Sequence, residues 1–154
     1  MFYGTYYHKL EGKNRVSLPA TFRKQLKKKV ILTRGLDGCL FLFDEQNWQQ
    51  EVKKAEGLDY NKRLNRDFVR LLMNEASEIE LDDQGRILIP ESHKQKADLG
   101  KEVVIVGSLG RIEIWNQQKY HKLLEGLEQT AESIAEQIGN QGNDKHNAHT
   151  SITE

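Results

Sequence analysis

The chain has 154 residues, 37% apolar and 30% charged, and its 23 basic and 23 acidic side chains cancel to a net charge of zero. This excludes a large multi-domain enzyme and any overall basic field for nucleic acid, and no stretch approaches the ~20 apolar residues of a membrane helix. The charge is uneven: residues 1–44 carry nine basic and three acidic groups, while 45–80 and 81–154 are net acidic by two and four, which fits either two solvated faces or one basic binding face.

The N-terminus, MFYGTYYHKLEGK, lacks the charged, apolar, small-residue order of a secretory signal, so a cytoplasmic protein is expected. A polar turn follows at Glu11 to Arg15. Val16 and Leu18 alternate with Ser17 as a strand, and Pro19 ends that ladder and opens a short helix, Ala-Thr-Phe-Arg-Lys-Gln-Leu. Val30 to Leu32 is the next strand. Glycines 35 and 38 mark a turn into the apolar run Gly38 to Phe43, where the lone Cys39 reads as a small buried hydrophobe.

Residues 45–76 read as linker helices. Asn47 to Ala55 is a short one, and Asp59 to Ala76 a longer one, in which Leu64, Phe68, Leu71 and Leu72 form an apolar stripe at i, i+4, i+7, i+8. Arg63, Arg66 and Arg70 line another face, suited either to surface pairing with Asp67 or to phosphate or subunit contact. A second polar turn spans Asp82 to Arg86. After Pro90, a short helix begins at Glu91 and includes His93, expected at the surface. Val103 to Val106 is a buried strand, and Ser-Leu-Gly (108–110) turns it into Arg111 to Trp115. A C-terminal helix is expected over 117–138, where Tyr120, Leu124, Leu127, Ala131, Ile134 and Ile138 suit a coiled-coil seam or packing on the chain's own domain. The polar run over 139–154 reads as a disordered tail.

The chain repeats itself. Leu10 to Pro19 overlies Leu81 to Pro90 at a constant offset of 71, so both prolines occupy one repeat position. After a one-residue slip Gly35 meets Gly107, Gly38 meets Gly110, Phe43 meets Trp115 and Trp48 meets Tyr120. Each copy, about 5–48 and 77–120, has strands too short and too few to close a core alone. The two are therefore expected to interlock about a pseudo-two-fold axis into one β-barrel within a single domain over 1–138, with peripheral helices, in the α+β class with a mainly β core.

The turns are the candidate site. Asn14 stands where the other copy has Gly85, and these are the residue types that most readily accept a left-handed backbone, so the same turn geometry is expected in both. Arg15 and Arg86 follow at the mouth of a strand, each four residues after an acid, Glu11 or Asp82. The acid can hold the arginine, which then either braces its own turn or is presented to a ligand.

Asp82-x-x-Gly85-Arg86-Ile-x-Ile-Pro90 resembles the AbrB-type DNA-binding signature. Two such copies, with an N-terminal Met-Phe-x-Gly, a linker helix containing Leu-Leu and an acid-x-x-x-Arg turn in each half, resemble the MraZ family over residues 1–138. Glu11 and Asn14 depart from the family's usual Asp and Gly. The resemblance implies a swapped-hairpin barrel, a ring-shaped homo-oligomer associated with the nucleoid, and repression at direct repeats upstream of the division and cell wall gene cluster. It also implies that Arg15 and Arg86 contact double-stranded DNA, with Asp82 as the paired acid. Lys13, Asn14 and Gln84 are further candidates for phosphates or base edges, and Glu11, Asp82 and Gly85 support the motif.

Two rivals follow from the same residues. An antitoxin-like or protein-interaction module could use an AbrB-type barrel with its helical tail gripping a partner. For an enzyme, His8, His93, His121, His146 and His149 show no metal-ligand spacing, and Gly107-x-x-Gly110 lacks the Lys-Ser/Thr of a phosphate loop. No catalytic residue, metal or cofactor is expected.

Overall fold

The computed structural model describes the backbone of residues 1–150 and the side chains of residues 1–142. The chain divides into a compact unit over Met1–Gln117 and a second from Gln118 onward.

In the first unit, β1 (Phe2–Lys9), β2 (Arg15–Ser17), α1 (Ala20–Arg23), β3 (Lys29–Arg34), β4 (Leu40–Asp44) and α2 (Glu45–Glu56) come from the first repeat. Helix α3 (Arg63–Asn74) leads to β5 (Ser77–Glu80), β6 (Arg86–Leu88), α4 (Glu91–Lys96), β7 (Glu102–Leu109) and β8 (Arg111–Asn116). Six strands form one antiparallel sheet in the order β1-β7-β8-β4-β3-β5, and β2 pairs with β6 in a separate two-stranded sheet. Each strand of one repeat thus has its counterpart in the other, and exchanging counterparts reverses the six-strand order and leaves it otherwise unchanged. Strands β1 and β5 were not anticipated from the sequence, although β1 is rich in the aromatics that favour strands. Among the described residues the sheet ends at these two edges and is not closed, so a closed barrel is replaced by an open sheet with a two-stranded partner.

The register fixes the pseudo-symmetry. Val16 faces Ile87 in the small sheet, and Phe41 faces Glu113 where β4 meets β8. Each pair occupies equivalent repeat positions. Both sheets contribute to one core: Val16, Leu18, Ile87 and Ile89 pack with Val30, Leu32, Leu40, Leu42, Val103, Ile105, Ile112 and Ile114. Burial of each such side chain contributes about 1.5–3 kcal/mol, which neither half can gather alone. Gly107 lies where β1 crosses closely, for a Cβ there would stand 2.3 Å from the Tyr3 backbone nitrogen.

The linker helices lie near the other face of the sheet. The Thr33 hydroxyl donates to the Leu72 carbonyl at 3.0 Å, and the Trp48 ring of α2 packs against Phe43 at 5.5 Å with the two planes tilted by 52°. Asp44 caps α2 by accepting from the Asn47 backbone N–H, the side-chain acceptor that a helix N-terminus requires. Helix α3 buries no residue fully, and its apolar stripe stays open: Leu64 is 80%, Phe68 45% and Leu71 49% exposed. Its basic face pairs locally, Arg70 and Arg63 with Asp67 at 2.9 and 3.6 Å, while Arg66 donates to the Tyr60 and Asn61 carbonyls.

His93 is not at the surface as expected. It is the buried residue of α4, and its Nε2 bonds the Glu75 carbonyl at 2.6 Å. Glu75 in turn bridges Arg34 and Lys96.

In the second unit, α5 (Gln117–Gln129) and α6 (Ala131–Thr150) replace the single expected helix. Thr130 separates them and donates its hydroxyl to the Gly126 carbonyl. Residues 139–150 are helical where a disordered tail was expected, and 151–154 lie outside the described residues.

Candidate nucleic-acid interface

The small sheet is where the two turns meet. Because directly opposite residues of an antiparallel pair share a face, burial of Val16 and Ile87 turns Arg15, Ser17, Arg86 and Leu88 outward. The register places Arg15 opposite Leu88 and Arg86 opposite Ser17, so the two arginines stand at opposite ends of one three-residue ladder.

In the first turn, the Glu11 N–H donates to the Arg15 carbonyl at 2.7 Å, and Lys13 and Asn14 have φ of 64° and 58°. Asparagine accepts that conformation cheaply and lysine does not. In the second, the Asp82 N–H donates to the Arg86 carbonyl and the Gly85 N–H to the Asp82 carbonyl, both at 2.9 Å, with Gly85 at φ 74°. The expected left-handed slot is therefore present at both Asn14 and Gly85. The turns nevertheless differ in shape, since Lys13 adds a second left-handed residue and its counterpart Gln84 does not.

Each turn is pinned by the opposite repeat. The Leu18 N–H donates to the Gly85 carbonyl at 3.1 Å, and the Ile89 N–H to the Asn14 carbonyl at 2.9 Å. Asn14 also donates from Nδ2 to Glu91 Oε2 at 2.8 Å, while Arg23 Nη1 of α1 donates to the Gln84 carbonyl at 2.9 Å. Arg23 lies across Gly85, where a Cβ would stand 2.1 Å from its Cδ. The sequence reading missed Arg23 and Glu91, because nothing in their spacing relates them to a turn in the other half.

The charges are arranged unequally. Asp82 Oδ1 accepts the N–H groups of Gln84 and Arg86, and Oδ2 accepts Arg86 Nε at 2.8 Å. The Arg86 backbone N–H, followed by its side chain, holds the Asp82 carboxyl below the usual aspartate range, and the Asp82 carboxylate holds the Arg86 proton more tightly in return. Glu11 holds Arg15 through the backbone alone. Its carboxylate lies 3.6 Å from Arg86 instead, leaving the Arg86 side chain 24% exposed. Lys13 and Arg15 are exposed, as are Arg23 and Lys24 of α1.

The first turn therefore presents basic side chains at a fixed backbone, whereas the second buries most of its cation against carboxylates. Among the described residues, no group of three His, Cys, Asp or Glu side chains could hold a metal, and no helix is long and apolar enough to cross a membrane. These features define a tandem-repeat α+β protein with a mainly antiparallel sheet, whose two interleaved halves present arginine turns on one outward face. The chain belongs to the MraZ family: it matches the family described as "MraZ protein, putative antitoxin-like" twice, over residues 1–71 and 72–139. It is 41% identical over 138 residues to the transcriptional regulator MraZ of Pediococcus pentosaceus, covering 90% of this chain and 96% of that one. The protein of the same name from Carboxydothermus hydrogenoformans is 43% identical over 138 residues, with the same coverage. That of Halothermothrix orenii is 42% identical over 135 residues, covering 88% of this chain and 94% of the relative.

Proposed function

We propose that this chain is a DNA-binding transcriptional regulator, not an enzyme, which represses the division and cell wall gene cluster by binding direct repeats in its promoter. It acts in the cytoplasm at the nucleoid, as a homo-oligomeric ring on double-stranded DNA. The observation that carries the reading is the exposed Arg15, beside Lys13, on a turn whose backbone is locked to the opposite repeat through the Asn14 carbonyl. Arg86, Asn14 and Gln84 belong to the same platform, supported by Glu11, Asp82 and Gly85. A guanidinium paired bidentately with guanine supplies about 1–3 kcal/mol of discrimination, and lysine fixes register on phosphates.

The interleaved strand order supports a swapped-hairpin arrangement formed within one chain. A neutral monomer gains little from long-range attraction, so affinity is expected to come from assembly, which raises avidity by about 10² to 10⁴ when subunit and repeat spacing match. The open Leu64, Phe68 and Leu71 stripe supports a subunit interface. The test is a mobility-shift titration on the chain's own upstream promoter segment, combined with a native mass. Retarded complexes that weaken steeply with salt, with a slope of about −0.9 per neutralised phosphate, are expected. Salt-independent or absent binding by a folded assembly rejects the reading.

A further inference from the structure

The linker helix and the C-terminal helices are equivalent by the repeat, and both keep an apolar surface open. One residue beyond the offset of 71, α2 falls on residues 117–128, inside α5, and α3 falls on 135–146, inside α6. The surface on α3 is the wall of a groove of about 180 Å³, floored by Phe41 and Phe43 and enclosed by Leu36, Phe68, Leu71 and Leu72. That volume is well below the ~300 Å³ at which small-molecule pockets begin. The two rim arginines are already paired, Arg34 with Glu75 and Arg111 with Glu113. The groove therefore suits one or two uncharged side chains of a protein partner, and the exposed Leu64 extends it along α3.

The second surface is the seam at Leu127, Ala131, Ile134 and Ile138, whose steps of four, three and four residues suit a helix packed side by side with another. No residue of α5 or of the described part of α6 is buried, and Leu127, Ile134 and Ile138 are exposed. The charges of the two surfaces are opposite. Residues 123–138 carry Glu125, Glu128, Glu132 and Glu136 and no basic residue, whereas α3 carries Arg63, Arg66 and Arg70 against Asp67 alone. Opposite fields steer association and fix its orientation. Resting on the ring assembly proposed above, we infer that the seam on α5 and α6 of one copy seats on the α3 groove of the next. The two surfaces differ, so the contact is head-to-tail, and copies add until the rotation closes a ring. Each junction pairs equivalent elements of opposite repeats, as Val16 and Ile87 do inside one chain.

Native mass spectrometry of the full chain, without DNA, tests the junction. A groove variant carries Leu64→Glu and Phe68→Glu, and a seam variant carries Leu127→Glu and Ile134→Glu. All four positions are exposed, so both variants are expected to keep the wild-type circular dichroism spectrum. The wild type is expected as a closed multiple of the 17.8 kDa chain, and each variant as a single copy. Mixing the two variants is the decisive measurement. The groove variant keeps its seam and the seam variant keeps its groove, so an equal mixture forms one good junction and stops at two copies. Leu64→Glu alone, at the most exposed of these positions, replaces the groove variant if the double substitution prevents folding.

A wild-type chain that runs as one copy overturns the inference, as do folded variants that assemble like the wild type. A groove variant that dissociates while the seam variant keeps the wild-type mass overturns it too, because the groove then meets the same groove on its partner. So does a mixture that rebuilds no two-copy species. The masses decide the junction without DNA, whereas an assembled wild type that fails to retard its promoter segment rejects the regulator reading alone.

Discussion

Val16 of β2 lies directly opposite Ile87 of β6, and the two occupy the same position in their repeats. The pair marks the point where the halves of the chain meet their own symmetry, and both side chains are fully buried. Everything on the outward face of the small sheet hangs from it.

Ile87→Ala should therefore destabilise the first unit by about 2–5 kcal/mol, the range for truncating a buried isoleucine. Urea unfolding followed by circular dichroism measures this. A loss below about 1 kcal/mol indicates that the small sheet is peripheral to the core.

Gly85 answers to two demands, a φ of 74° and the passage of Arg23. Gly85→Ala should cost more than about 1 kcal/mol, since alanine is strained at positive φ and its methyl meets the Arg23 chain. Adding Arg23→Ala should recover only the steric part. Full recovery in thermal melts shows that the backbone conformation is not limiting.

Asp82 contributes a defined acid limb. Its carboxyl is held below the ordinary aspartate value, principally by the Arg86 N–H. Stability from such a depressed group is present above the ordinary value of 3.8 and is lost as pH falls through the lower folded value. Wild-type and Asp82→Asn stabilities, measured by urea titration from pH 7 to 2, should differ most at neutral pH and converge below 3.8. Parallel curves over that range contradict the pairing.

Cys39 is 2% exposed, and burial pushes its thiol up to about 12. Thiolate is the reactive form, so iodoacetamide at pH 8 should leave the folded protein unlabelled and modify it fully in urea. Rapid labelling of the native chain, read by mass spectrometry, indicates an opening of the β3–β4 turn.

The duplication, the strand after each turn, the proline-opened helices and the left-handed slot at Asn14 and Gly85 were all readable in the residue order. They are local, and a repeated local pattern repeats its geometry. The open sheet, its edge strands β1 and β5, the burial of His93 and the helical run beyond residue 138 were not, since pairing and burial depend on partners distant in the chain. Chain order also set Glu11 beside Arg15 as firmly as Asp82 beside Arg86. Only tertiary structure could send Glu11 to Arg86, because an exposed carboxylate goes to whichever cation the folded backbone brings near, and here that cation comes from the other repeat.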